Sequence, residues 1–311
     1  MIETIERKRA EQATFCREHG LEATQVSVLG LSLHVVRRFE PERPCVIFLH
    51  GVPDTWWVWR HQLAFFAGLY SLVAVDLPGF GESSIVPKSQ MAIQRVLVPA
   101  LCDVLDMRPG PVHVVGHDVG ALVAWYLALA LGCRPRVADA THARLSSLTV
   151  FGIGHPSSVL HELRRPINLW RSRHWAAFSL PKPIGEQVVG GCDFRYLRRL
   201  TRTPTAEGEW RTELSRPGRL SAMLDVFRAN TLPTWRILGS PDLHADVLAL
   251  CTREDVALTN AEQLAGSRRY VRGQFQLERL DAGGHWCMRE NPTVVNRHLQ
   301  NHFGTCGEGQ S

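Results

Sequence analysis

The chain has 311 residues, 45% of them hydrophobic, which suffices for one large domain or a domain carrying an insertion. Its formal charge of +5 is modest and almost wholly arginine, since Lys8, Lys88 and Lys182 are the only lysines. The basic pairs Arg164-Arg165 and Arg198-Arg199 fall in stretches that read as helix, where a solvated charged face is the ordinary explanation, so nucleic acid is not an expected partner. The eight cysteines show neither C-x-x-C pairs nor Cys/His zinc spacing and read as free buried thiols.

Met1 to Gly20 mixes charge with scattered apolar residues and has no apolar run leading to a cleavage site, so it reads as a surface helix and not a signal peptide. No stretch approaches the ~20 apolar residues of a membrane span. A soluble, cytoplasmic protein without a membrane partner is expected. β-rich runs follow at Gln25-Leu29, Leu33-Phe39, Cys45-Leu49, Leu72-Val75, Val112-Val115, Leu148-Ile153, Val247-Cys251 and Phe275-Leu280, with helix-like segments between many of them, among them Ile93-Leu105 and Ala121-Leu131. Continuous apolar strands alternating with helices predict an α/β fold, a mostly parallel eight-stranded sheet flanked by helices. Its chemistry belongs at the carboxyl ends of the strands.

The third run leads into His50-Gly51-Val52-Pro53-Asp54, and the fifth into Gly116-His117-Asp118-Val119-Gly120 ahead of an apolar helix. The second pentapeptide is the nucleophile-elbow pattern G-x-S-x-G with Asp in place of Ser. Small residues flank such an elbow because its turn is tight, and the helix dipole favours a carboxylate there. Asp118 could instead simply cap the helix. After the last strand comes Asp281-Ala282-Gly283-Gly284-His285-Trp286, where an order of nucleophile, acid and histidine requires its base, His285. Thr252-Arg253-Glu254-Asp255 follows the seventh run and offers two carboxylates to orient that histidine. Asp255 is preferred to Glu254, since an acid a full turn beyond the strand can reach back.

With His50-Gly51-Val52-Pro53-Asp54, Asp76-Leu77-Pro78-Gly79-Phe80-Gly81-Glu82-Ser83, Gly116-His117-Asp118-Val119-Gly120 and Gly284-His285-Trp286, the sequence resembles the epoxide hydrolase branch of the α/β-hydrolases, close to the haloalkane dehalogenases. The resemblance runs from about Val26 to Phe303 and implies the α/β-hydrolase fold with an inserted helical cap at 156–234 between core segments 1–155 and 235–311. It implies attack by Asp118 on an electrophilic carbon to form an alkyl-enzyme ester, and hydrolysis of that ester by water that His285 activates. The backbone N–H groups of Val52 and Val119 would form the oxyanion hole. No metal or organic cofactor is implied.

Val119 follows the nucleophile where haloalkane dehalogenases place Trp and fluoroacetate-type dehalogenases Arg, which argues against both. The family's two cap tyrosines, which protonate the ring oxygen, correspond here to His174 and Phe227. Phe227 cannot donate a proton, so His174, assisted by Trp175 or Tyr196, is the candidate acid. The substrate pocket is expected to draw on His50, Pro53, Asp54, Trp57, Phe178, Phe227 and Trp286, with Trp170, Phe194 and further cap aromatics as walls for a bulky apolar or aromatic epoxide. Two alternatives stay open: another Asp-nucleophile hydrolase, such as a dehalogenase or a specialised ring-opening enzyme, and a catalytically silent ligand-binding protein. A small molecule is the expected partner, and a homodimer is compatible with the chain.

Overall fold

The structure, a computed structural model, describes residues 2–133, 142–201, 204–237, 241–255 and 261–307. Helix α1 (Ile2–Glu18) leads into an antiparallel hairpin, β1 (Glu22–Val28) and β2 (Leu31–Arg38), which reverses through Leu29 and Gly30, both at positive φ. Then follow β3 (Cys45–Leu49), α2 (Arg60–Phe66), β4 (Ser71–Val75), α3 (Val98–Asp106), β5 (Gly110–His117), α4 (Val119–Gly132) and β6 (Ala143–Phe151). Six helical segments among the described residues come next: α5 (Pro156–Glu162), α6 (Pro166–Arg171), α7 (Arg173–Phe178), α8 (Ile184–Thr201, broken by non-helical backbone from Gly191 to Phe194), α9 (Pro204–Leu214) and α10 (Arg219–Ala229). The chain returns to the sheet with β7 (Asp246–Thr252), α11 (Ala261–Gly266), β8 (Phe275–Leu280), α12 (Cys287–Glu290) and α13 (Pro292–Gly307). The helical stretch between β6 and β7 falls in the segment expected to be inserted.

The eight strands form one sheet in the order β1-β2-β4-β3-β5-β6-β7-β8, antiparallel at β1/β2 and β2/β4 and parallel elsewhere. Every residue of β3 and β4 is buried, as helices on both faces of a parallel sheet require. β1, at the edge, is exposed along most of its length. Leu49 pairs with Gly116, His117 with Phe151, and Thr252 with Leu280. The parallel strands therefore end close to level, and the residues just beyond β3, β5, β7 and β8 emerge at one edge of the sheet.

Some local expectations change. Ile93-Leu105 is not one regular helix: a π-helical turn over Ile93–Leu97 precedes α3. Pro99 lacks the N–H that an uninterrupted α-helix would use there. The sixth strand starts earlier than its apolar run and ends at Phe151, so Ile153 lies beyond it. Arg164 and Arg165 sit in the turn between α5 and α6, not within a helix, and Arg165 pairs with Glu162 and Glu262. The described cysteines are free thiols, but Cys133 and Cys192 are exposed, contrary to the expectation that all are buried.

Candidate active site

Asp118 occupies the one-residue link between β5 and α4, with φ 51° and ψ −123°. That sparsely populated conformation costs about 1–3 kcal/mol and persists because its surroundings enforce it. Glycines make the close approach possible. A Cβ on Gly116 would lie 2.4 Å from the Gly120 carbonyl oxygen and 2.6 Å from the Ala124 Cβ, and one on Gly120 would lie 2.3 Å from the Leu49 carbonyl oxygen. The Asp118 side chain does not cap α4. Its Oδ2 accepts a hydrogen bond from the Val52 N–H at 3.0 Å, and the Val119 N–H also serves the carboxylate. Burial raises the Asp118 pKa, against the opposing pull of His285 and of these two amides.

His285 lies on the loop after β8, and its Nδ1 donates to Asp255 Oδ2 at 2.6 Å. Asp255 is buried, whereas Glu254 is exposed. The Thr252 hydroxyl ties the two loops together: it accepts from the Asp255 N–H and donates to the Gly284 carbonyl, each at 3.2 Å. Burial disfavours the imidazolium of His285, but the surrounding carboxylates of Asp255, Asp118 and Asp54 outweigh it and bring the pKa to about 9. The other ring nitrogen, Nε2, is buried and has no hydrogen-bond partner among the described residues.

Sequence reasoning assigned no role to His117. Its Nε2 donates to the His285 carbonyl at 3.0 Å, and the two rings lie 4.5 Å apart. Burial holds its pKa far below the usual value, so it is a neutral brace for the histidine loop. Standing between Gly116 and Asp118 at a strand end, it carries no pattern that would have announced this.

Several residues expected in the pocket stand behind it. His50 is fully buried, donating from Nδ1 to the Gly51 carbonyl at 2.7 Å and accepting at Nε2 from the Leu77 N–H at 2.9 Å. Both nitrogens are committed to holding loops. Trp286 is also fully buried and donates to Asp54 Oδ2 at 2.6 Å. Burial raises Asp54 to about 7 in spite of that bond. Trp57 packs against Phe15 of α1, with ring centroids 5.2 Å apart. None of these four lines a cavity that reaches Asp118.

Two cavities meet at Asp118. The larger, about 680 Å³, runs under α5 to α7 and is walled by Ile153, Val159, Leu163, Leu169, Trp170, Trp175 and Trp235, with Glu162, Asn168 and Gln263 as polar groups. The smaller, about 30 Å³, is bounded by Val52, Pro53, Asp118, His285, Phe178 and Phe227, among others. His174 and Trp175 border both. Phe194 instead packs edge-on against Trp210, and Tyr196 packs edge-on against Phe178 without reaching either cavity.

His174 is buried, and its Nδ1 lies 3.2 Å from the Arg171 carbonyl. A carbonyl only accepts, so Nδ1 carries the proton and Nε2 of the neutral ring presents a lone pair. Burial lowers this histidine to about 4. The Trp175 indole N–H has no hydrogen-bond partner among the described residues and is the uncommitted donor of the pair. Among the described residues no group of three or more His, Cys, Asp or Glu could hold a metal ion, and no helix is long and apolar enough to cross a membrane.

A mostly parallel eight-stranded sheet, with an acidic residue at a strand-to-helix elbow and a histidine beyond the last strand, defines a class of hydrolase. The model of the alpha/beta hydrolase family matches residues 46–298, and the chain belongs to that family. Within it, the chain is similar to proteins named epoxide hydrolases. It is 30% identical to Epoxide hydrolase 4 of Mus musculus over 285 residues, covering 86% of this chain and 75% of that protein. It is 28% identical to Epoxide hydrolase 3 of Xenopus tropicalis over 285 residues, covering 86% and 73%. Among solved structures, the epoxide hydrolase of Bacillus megaterium in complex with an inhibitor matches with a TM-score of 0.75 and 24% identity, over 90% of this chain and all of that one, a likeness of fold.

Proposed function

We propose that the protein is an epoxide hydrolase that opens a bulky apolar or aromatic epoxide to a diol through an ester on Asp118. The observation that carries this reading is the placement of the Asp118 carboxylate between the Val52 amide and His285, at the floor of a large cavity. In the first step an Asp118 oxygen bonds to a ring carbon and the carbon–oxygen bond of the ring breaks. The oxygen departs on the side away from Asp118, toward α7, where the Trp175 N–H stabilises it and His174, in its imidazolium form, supplies a proton.

Ester formation removes the negative charge of Asp118, one of the charges that hold His285 protonated. The pKa of His285 falls, its imidazolium gives up the proton to solvent, from which His174 regains the one it supplied, and the neutral imidazole is then free to act as a base. It takes a proton from water, and hydroxide adds to the Asp118 carbonyl carbon. The Val52 and Val119 amides hold the resulting oxyanion, and collapse expels the diol oxygen, which takes the proton back from His285. Asp255 keeps Nε2 aimed at the water by holding Nδ1–H. The helices of 156–234 act as a cap over the site, and the apolar walls of the larger cavity support the choice of substrate. A cytoplasmic location is part of this reading, supported by the composition of the N-terminal helix.

Single turnover with an aryl glycidyl ether in heavy-oxygen water, followed by mass spectrometry of the peptide containing Asp118, tests the chemistry. Label in that carboxylate is the expected result. Turnover without label would remove Asp118 as nucleophile.

A further inference from the structure

Helix α6 is built inside out. Its one buried residue is Asn168, while Ile167, Leu169 and Trp170 are 55%, 57% and 66% exposed. At 100° per residue the helix turns Leu169, Trp170 and Ile167 onto the arc opposite Asn168, with Trp170 near its centre, and Trp170 is the most exposed of the three. Isolated exposed apolar side chains are ordinary on a protein surface; three on one short helix that hides an asparagine are not.

Arginines frame this face. Arg164 and Arg165 precede α6, while Arg171 ends it and Arg173 follows. Arg165 is engaged with Glu162 and Glu262, and the Arg173 guanidinium lies 4.7 Å over the Trp170 ring. Arg164 and Arg171 are exposed and form no ion pair among the described residues. The same face forms the rim of the large cavity, since Leu169, Trp170, Arg171 and Arg173 border the space that ends at Asp118.

We propose that α6 and its flanking arginines dock the protein on an anionic lipid surface, with the cavity mouth against the bilayer. Apolar side chains entering the acyl boundary while arginines meet lipid phosphates is the pairing that holds interfacial segments on membranes. Charge decides against a second copy of the chain as occupant, because a two-fold contact at this face would set the arginines against their own counterparts. The contact is superficial, and it departs from the sequence expectation of no membrane partner. That an apolar epoxide dissolved in the leaflet would then enter the cavity without crossing water rests on the proposed function. The docking itself does not.

The test uses the full chain without substrate, sedimented with extruded vesicles of phosphatidylcholine alone or mixed with phosphatidylserine. Binding to the anionic vesicles at least about twentyfold tighter than to neutral ones, weakened by salt, is expected. Ile167→Ser/Leu169→Ser/Trp170→Ser should weaken it about tenfold or more, and Arg164→Gln/Arg171→Gln about twentyfold, at unchanged thermal midpoints because the altered side chains are exposed. The proposal is overturned if the protein stays in the supernatant at low salt, or if both variants sediment like the parent. It is equally overturned if the triple variant instead abolishes self-association or the capture of a protein partner.

Discussion

His285 and Asp255 are joined by a 2.6 Å hydrogen bond between side chains that are both buried, and that bond fixes the tautomer of the imidazole. With the Nδ1–H committed, only Nε2 can take a proton from water. Asp255→Asn offers an amide in place of the carboxylate and removes the charge that sustains the imidazolium. Ester hydrolysis should slow about 100-fold or more, and rapid-quench measurement should then find the Asp118 ester accumulating. Unchanged turnover would remove Asp255 from the mechanism.

His285→Gln tests the base directly. The Asp118 peptide should gain the mass of the epoxide after mixing and keep it, because the water step stops while ester formation continues. A variant that releases diol at the parental rate would place the base elsewhere.

Stability should depend on pH through the same residue. His285 has a folded pKa of about 9, above the ordinary 6.5, so the folded state holds its proton more tightly than the unfolded chain. Its contribution, about 3 kcal/mol at most, is fully present below pH 6.5 and is lost as pH rises through 9. Urea midpoints should decline over that window, and the decline should be shallower in Asp255→Asn. Equal slopes in the two proteins would contradict the assignment.

The elbow glycines give a stability contrast. Gly116→Ala must push a methyl group into the Gly120 carbonyl and Ala124, an overpacking cost of about 1–3 kcal/mol or more. Gly208→Ala, in α9 with nothing within 4 Å of the added Cβ, should be neutral or stabilising by up to about 1 kcal/mol. Chemical denaturation of the two variants side by side checks the difference.

For the departing oxygen, Trp175→Phe keeps an aromatic ring and loses the N–H. Ester formation should slow about 100-fold in single-turnover measurements. His174→Phe should slow it more at pH 6 than at pH 8, since the imidazolium of a histidine with a pKa near 4 grows more abundant as pH falls. An equal effect at both pH values would take the proton from another source.

The sheet and the elbow were legible because backbone chemistry writes itself into local patterns. Apolar runs bounded by turn residues marked all eight strands, and β3 and β8 coincide with their runs. Asp118, His285 and Asp255 stand at strand ends, so the order of the strands was enough to bring them together. The pocket walls were harder to read. His50, Trp57 and Trp286 adjoin site residues in sequence, yet their side chains serve a loop carbonyl, α1 and Asp54. Neighbours in the chain need not face the same space. Asn168 and Gln263 reach the large cavity from helices on opposite sides of β7 in the sequence, and no local spacing links them. The choice of His174 as acid turned on which of its nitrogens bears the proton, which only the Arg171 carbonyl reveals.

The 30 Å³ chamber beside His285 has room for about one or two waters and too little for an alcohol of any size. If the second nucleophile is drawn from there, the ester is screened from every competitor that the larger cavity admits. Reaction in water–methanol mixtures should then leave almost no methyl ester on Asp118, the product that methanol attack on the ester carbonyl would form as it released the same diol, whatever the bulk ratio of the two solvents. Enlarging that chamber with Phe227→Ala would let the methylated Asp118 peptide appear in the mass spectrum, and the choice of second nucleophile would become a property set by the size of one aromatic ring.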